Sequence, residues 1–151
     1  FKPEAGINRA ESLKVIFEAL DVQISQDPYQ SIFSDVPYNA WYTQYVYTAL
    51  ELGIVQGYEN HTFRPENVVT RSEALKMLLE TGKIRNNIVV PTGRAGYPYY
   101  DTTGGWYMDY AWFAKENHLT DNDQYLFPNY QMTRGAMADM LYRYYTAGLL
   151  K

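Results

Sequence analysis

The feature that most limits what this chain can fold into is an internal repeat. Three segments share one register: Phe1-Lys2-Pro3 followed by Ile7-Asn8-Arg9-Ala10-Glu11, Phe63-Arg64-Pro65 followed by Val69-Thr70-Arg71-Ser72-Glu73, and Leu126-Phe127-Pro128 followed by Met132-Thr133-Arg134-Gly135-Ala136. In each, a large apolar residue precedes the arginine by eight positions, and the arginines recur after 62 and 63 residues. A second block lies between them. Phe33-Ser34-Asp35-Val36, Trp41-Tyr42 and Gly53-Ile54-Val55-Gln56-Gly57-Tyr58 return as Tyr99-Tyr100-Asp101-Thr102, Trp106-Tyr107 and His118-Leu119. Self-similarity at a steady period means one supersecondary unit stacked several times. The chain therefore reads as two whole copies and the last half of an earlier one.

Both halves of the unit have helical periodicity. After Trp41, the side chains Tyr45, Val46, Ala49 and Leu52 fall on one face, and Gly53 supplies a stop. The later copy offers Tyr107, Tyr110, Ala111 and Ala114. Second helices are predicted over about 9–20, 71–81 and 134–147. Their stripes are Leu13, Ile16, Phe17 and Leu20; then Ala74, Leu75, Leu78 and Leu79, ended by Gly82; then Ala136, Met137, Met140, Leu141 and Tyr144, ended by Gly148. Helices of about three turns do not persist alone, so stability must come from packing repeats together. The predicted division is a half-repeat at 1–20, a linker at 21–32, a full repeat at 33–82, a linker or insertion at 83–98, and a diverged repeat at 99–151.

At these residues the sequence resembles the S-layer homology family. Phe33-x-Asp35-Val36, Trp41, Gly53-Ile54-Val55-x-Gly57-Tyr58, Phe63-x-Pro65 and Val69-Thr70-Arg71-x-Glu73 follow that family's pattern through a full copy. The resemblance implies an all-α fold: helix-loop-helix repeats packed as a pseudo-threefold, three-lobed bundle, with the first repeat incomplete here. It also implies a role in holding a secreted surface protein on the bacterial envelope, by gripping a secondary cell-wall polymer, often a pyruvylated one, or modified peptidoglycan. Carried over position by position, it points to Arg9, Glu11, Thr70, Arg71, Glu73 and Arg134, with Trp41, Gly57 and Tyr58 nearby. The third copy departs from the pattern: Ala136 stands at the motif's Glu, and His118-Leu119-Thr120-Asp121-Asn122-Asp123 replaces the Gly-x-x-x-Gly-Tyr turn.

The motif residues also have a physical reading of their own. Asn8-Arg9-Ala10-Glu11 and Thr70-Arg71-Ser72-Glu73 have the form of a capping box, worth about 0.5–2 kcal/mol, which accounts for Thr and Glu on structural grounds. The Ala136 copy loses the box, so fraying is expected at that helix start. The arginine is different. It occupies the first helical position, where the helix dipole disfavours a cation, and it calls for an acidic partner. That partner is either a ligand's anion, which helix N-termini and a guanidinium both suit, or Asp35, Asp101 or another acid of the protein. Trp41 and Trp106 are expected as buried wedges between repeats, with sugar stacking as the alternative. Gly57 suits a turn with positive φ, or a sugar close to the backbone.

Composition narrows the remaining classes. Thirteen basic against seventeen acidic residues give a net charge of −4, against the basic excess of a nucleic-acid binder. There is no cysteine, and no apolar run approaches the roughly 18 residues of a membrane span. Sixteen tyrosines suit sugar-contacting or interface surfaces as well as cores. His61 and His118 share no motif with a nucleophile, and Asp121-Asn122-Asp123 reads as a solvated turn, so no catalytic residue, metal site or cofactor is predicted. The chain opens at Phe1 without a Met or a leader, as a processed protein or a piece of a longer one would. The leading expectation is a non-catalytic anchoring module that binds an anionic wall polysaccharide. The alternatives are an interaction module contacting neighbouring surface-protein chains without glycan, and the accessory module of a wall-acting enzyme.

Overall fold

The computed structural model describes residues 2–27 and 32–150. Phe1 of the first motif and residues 28–31 of the first predicted linker lie outside the described residues. The described helices are α1 (Arg9–Ala19), α2 (Thr43–Glu51), α3 (Arg71–Arg85), α4 (Met108–Glu116) and α5 (Arg134–Thr146). Extended pairing among the described residues is confined to three isolated antiparallel bridges, Gly6 with Thr133, Asn8 with Val68 and Thr70 with Gln131. The fold is all-α, and none of these helices is long and apolar enough to cross a membrane.

The bridges belong to a cyclic arrangement that the sequence repeat dictates. The apolar residue immediately before each cap supplies one side of a closed ring: Ile7 N–H donates to Met132 O, Met132 N–H to Val69 O, and Val69 N–H to Ile7 O. The same rotation relates the helix starts. Arg9, Arg71 and Arg134 donate their backbone N–H to Asn67, Tyr130 and Ala5. The next residues, Ala10, Ser72 and Gly135, donate to Pro65, Pro128 and Pro3. Each helix start is thus capped by the proline-containing loop of the following copy. Ile7, Val69 and Met132 are all buried at this axis. Burial of each is worth about 1.5–3 kcal/mol, whereas a backbone hydrogen bond nets about 0.5–1.5 kcal/mol. The side chains therefore hold the hub together, and the hydrogen bonds set its register.

Packing follows the predicted stripes except at Leu52, which caps the end of α2 and is exposed. Leu13, Ile16, Phe17 and Leu20 of the first segment are buried, as are Ala74, Leu75, Leu78 and Leu79 of α3. α1 packs on α2, α3 and α5, and α3 packs on α4. Asp35 and Asp101 act as matching clasps. Asp35 accepts the backbone N–H groups of Phe63 and Arg64, and Asp101 those of Leu126 and Phe127, all at 2.8 Å.

Two local expectations are corrected. Gly82 does not end α3: the helix runs on to Arg85, with Asn86 as its cap. Gly82 is there because a Cβ would collide with the Tyr144 hydroxyl and would lie 2.8 Å from Ile88 Cδ1. The start of α5 is not frayed by the missing Glu. Thr133 still accepts the Ala136 N–H, and Gly135 N–H donates to Pro3 O at 2.8 Å. The glutamate half of the box is lost, but the pairing to the next copy that all three helix starts share still holds this one.

Candidate functional site

A groove of about 420 Å³ opens where three copies meet, between the start of α3, the turn after α2 and the residues leading into α4. Its walls include Arg9 from α1, Gln56, Gly57 and Tyr58 from the turn, Thr70, Glu73 and Lys76 from α3, and Trp106 and Asn129 from the third copy. Gly57 sits at φ 79°, and a Cβ there would lie 2.9 Å from Phe33 Cζ and 3.0 Å from Thr62 O, so only glycine makes this wall. The Tyr58 N–H closes the turn on Thr62 O at 2.9 Å.

Arg9 is buried and held through two of its guanidinium nitrogens. Its Nε donates to Phe63 O at 2.9 Å and its Nη1 to Glu73 Oε2 at 2.7 Å, and its guanidinium lies 4.6 Å from the Phe63 ring centroid. Glu73 serves two ends at once, because its Oε1 also accepts from the backbone and hydroxyl of Thr70. The pairing is cyclic, like the hub. Arg134 pairs with Glu11, the capping glutamate of the next helix. Arg71 would meet position 136, which is Ala, and pairs instead at 3.5 Å with Asp121, which is 68% exposed.

The acidic partner that each motif arginine requires is therefore a carboxylate of the protein. It is not Asp35 or Asp101, whose oxygens are occupied by backbone N–H groups. The helix-dipole argument for an external anion loses its force once Glu73 and Glu11 occupy the place.

Cationic character in the groove rests also on Lys76, whose Nζ lies 5.8 Å from the centroid of Trp106. Trp106 is 56% exposed and Trp41 54%, which corrects the expectation of buried wedges. The physical reason is crowding. Tyr107 and Tyr110 stand edge-on to Trp106 at 5.8 and 6.4 Å, Tyr42 and Tyr45 do the same for Trp41, and these tyrosines fill the space beneath the indoles. The seam is fixed from below by the Tyr110 hydroxyl, which donates to Glu80 at 2.7 Å. Burial and that carboxylate push the Tyr110 hydroxyl up. Burial alone would raise Glu80, but Tyr110, Lys83 and Lys76 outweigh it and hold its carboxyl below the usual range.

Comparison with known proteins places the central copy. Residues 32–75 match the S-layer homology domain. This segment is similar to an S-layer homology domain. The chain is 35% identical over 80 residues to the Surface-layer 125 kDa protein of Lysinibacillus sphaericus, covering 53% of the chain and 6% of that protein. It is 30% identical over 73 residues to Exoglucanase XynX of Acetivibrio thermocellus, covering 48% of the chain and again 6% of the relative. The matched stretch is thus a small part of each relative.

The S-layer homology segment supplies most of the groove, and the structure divides the remaining expected residues. Arg9, Gly57, Tyr58, Thr70 and Glu73 converge there. Glu11, Trp41 and Arg134 do not. They gather at α1, where Lys14 lies 5.7 Å from the Trp41 ring, repeating the relation of Lys76 to Trp106. Arg71 lines a second concavity of about 480 Å³ with Glu4, Asp121, Ala136 and Asp139. There Ala136 replaces Glu73, Asp139 replaces Lys76 and Asp121 replaces Gln56, so the charge is reversed. Sequence reasoning missed Lys76, Gln56 and Asn129. The signal for the lysine was present: Lys14 and Lys76 each stand five residues after a motif arginine, with Asp139 at the third position. Among the described residues no group of three or more His, Asp and Glu gathers to hold a metal ion.

Proposed function

We propose that the protein is a non-catalytic anchoring module of the bacterial cell surface, and that its groove binds an anionic, often pyruvylated, cell-wall polysaccharide or modified peptidoglycan. The observation that carries this reading is the convergence of Lys76, Arg9 and the open face of Trp106 over a glycine-walled turn. An acidic sugar needs a cation and an aromatic face at close quarters, and Lys76 and Trp106 supply both. Arg9 and Glu73, locked to each other, present fixed donors and acceptors to sugar hydroxyls, and Tyr58 and Thr70 add hydroxyl groups. Glu11, Trp41 and Arg134, with Lys14, form a smaller contact of the same kind. Arg71 faces the acidic concavity and contributes least.

The relatives support the modular part of the reading. A surface-layer protein and an exoglucanase share this stretch as a small fraction of their length, as a unit would whose task is independent of the rest of the protein. The two repeats and the half-repeat at 1–20, 33–82 and 99–151 would act together as that unit. Cosedimentation with isolated wall polymer tests the proposal. Lys76→Ala and Trp106→Ala should each weaken binding by about tenfold or more, equivalent to about 1.4 kcal/mol, with the helical signal intact. Retained binding in the double variant overturns it.

One observation favours a second reading, an interaction module of a surface assembly that binds no glycan. All three motif arginines are satisfied by the protein's own acids. In that case wall polymer is ignored by the wild-type chain, while sedimentation equilibrium shows self-association.

A further inference from the structure

The third copy carries an aromatic row that its sister lacks. The clasps Asp35 and Asp101 put the two copies in register, and four positions change together. Ser34, Thr62, Arg64 and Asn67 of the second copy correspond to Tyr100, Tyr125, Phe127 and Tyr130 of the third. These four rings form one continuous chain of contacts. Tyr100 meets Tyr125 at 5.7 Å, Tyr125 stacks on Phe127 at 5.7 Å, and Phe127 meets Tyr130 at 4.9 Å. Tyr100, Tyr125 and Tyr130 are 76%, 39% and 64% exposed. Phe127 stands at φ 55°, the left-handed conformation that Arg64 also holds in the other copy. The fold therefore displays whatever residue occupies this corner, and in the third copy it displays a ring.

We propose that this row is an extension of the glycan site that binds the uncharged stretch of an extended polysaccharide, and this rests on the groove reading above. The ring-to-ring spacing is about the length of one pyranose unit, so successive sugars of an extended chain meet successive rings. Three of the four rings carry a hydroxyl, which suits a ligand with apolar faces and polar edges. The row joins the groove through the chain, because Asn129 in the groove wall immediately precedes Tyr130. A protein partner fits it poorly. At about 150–250 Å² per aromatic side chain, the exposed part of the row offers on the order of 400 Å², against roughly 800 Å² per partner in a stable interface.

The test returns the three tyrosines of the row to the identities of the second copy, in a Tyr100→Ser, Tyr125→Thr, Tyr130→Asn variant, beside the single Tyr130→Ala variant in case the triple change impairs folding. Binding is titrated with purified wall polysaccharide before and after its acidic substituents are stripped by mild acid. The row predicts that the stripped polymer still binds the wild-type chain, that saturation transfers from sugar protons to tyrosine ring protons, and that the variants lose this binding by tenfold or more while Lys76→Ala does not. Unchanged binding of stripped polymer by variants whose melting matches wild type overturns the row and leaves the groove standing. Loss in the row variants with no effect of Lys76→Ala on either polymer upholds the row and removes the groove's charge role. Self-association abolished by the variants, with no polysaccharide bound by wild type, assigns the row to a second copy of the chain and overturns the proposal.

Discussion

Glu73 shows how one side chain can belong to local and long-range structure together. Its carboxylate closes the capping box with Thr70 and holds Arg9 from a helix 64 positions away. A cap contributes about 0.5–2 kcal/mol, and a hydrogen bond to a charged group about 1.5–3 kcal/mol. Either role alone justifies the residue, so the presence of Glu in the motif says nothing by itself about ligands. Position 136 isolates the effect, because there the cap is half made and Arg71 is left with an exposed aspartate. Ala136→Glu should complete the third box, draw Arg71 inward and raise stability by about 0.5–2 kcal/mol in urea unfolding. A neutral or destabilising result would show that the cyclic pairing carries no net energy. The capping boxes were legible in the sequence because they are contacts between near neighbours. The identity of each arginine's partner was not, because it is set by which copy follows which around the axis.

At the scale of elements, α3 and α5 depend on a contact that pattern reading misjudged. A glycine late in a helical stripe reads as a stop, yet Gly82 lies inside α3 and admits Tyr144 from α5. Helix propensity alone would make Gly82→Ala stabilising by about 1 kcal/mol. Overpacking against Tyr144 and Ile88 reverses the sign, and a loss of about 1–3 kcal/mol is expected, read from the shift in thermal midpoint. A gain in stability would contradict the contact. The Tyr144 hydroxyl donates to Asn86 Oδ1 at 2.8 Å, and burial pushes its pKa up to about 12. A group whose folded pKa is raised contributes its stability in full below the unfolded value near 10 and loses it as pH rises toward about 12. Tyr144→Phe should therefore flatten the loss of stability between about pH 10 and 12. An alkaline limb identical to wild type would refute that assignment. The helix stripes themselves were readable, because burial of one face imposes the 3.6-residue period whatever the partner.

The whole molecule is organised around the ring of Ile7, Val69 and Met132, and this explains which functional features the sequence could and could not disclose. Repetition at 62 and 63 residues announced the rotation, and with it the lobes. Trp41 and Trp106 were misjudged because size alone favours burial, whereas here neighbouring tyrosines take the interior and leave the indoles outside. The rotation also makes the concavities comparable. One unites Lys76, Trp106 and the Gly57 turn, while its counterpart holds Asp139, Asp121 and Ala136. Divergence of the third copy thus redistributes charge without disturbing the frame.

The most direct measurement of the account is a calorimetric cycle on the full chain. Wall polymer with and without its acidic substituents is titrated into wild type and Lys76→Ala. If Lys76 answers the acidic group in the groove, removing either partner weakens binding by about tenfold, and removing both costs little more than removing one. Losses that add independently, or acidic polymer binding that is unchanged without Lys76, would contradict the central claim.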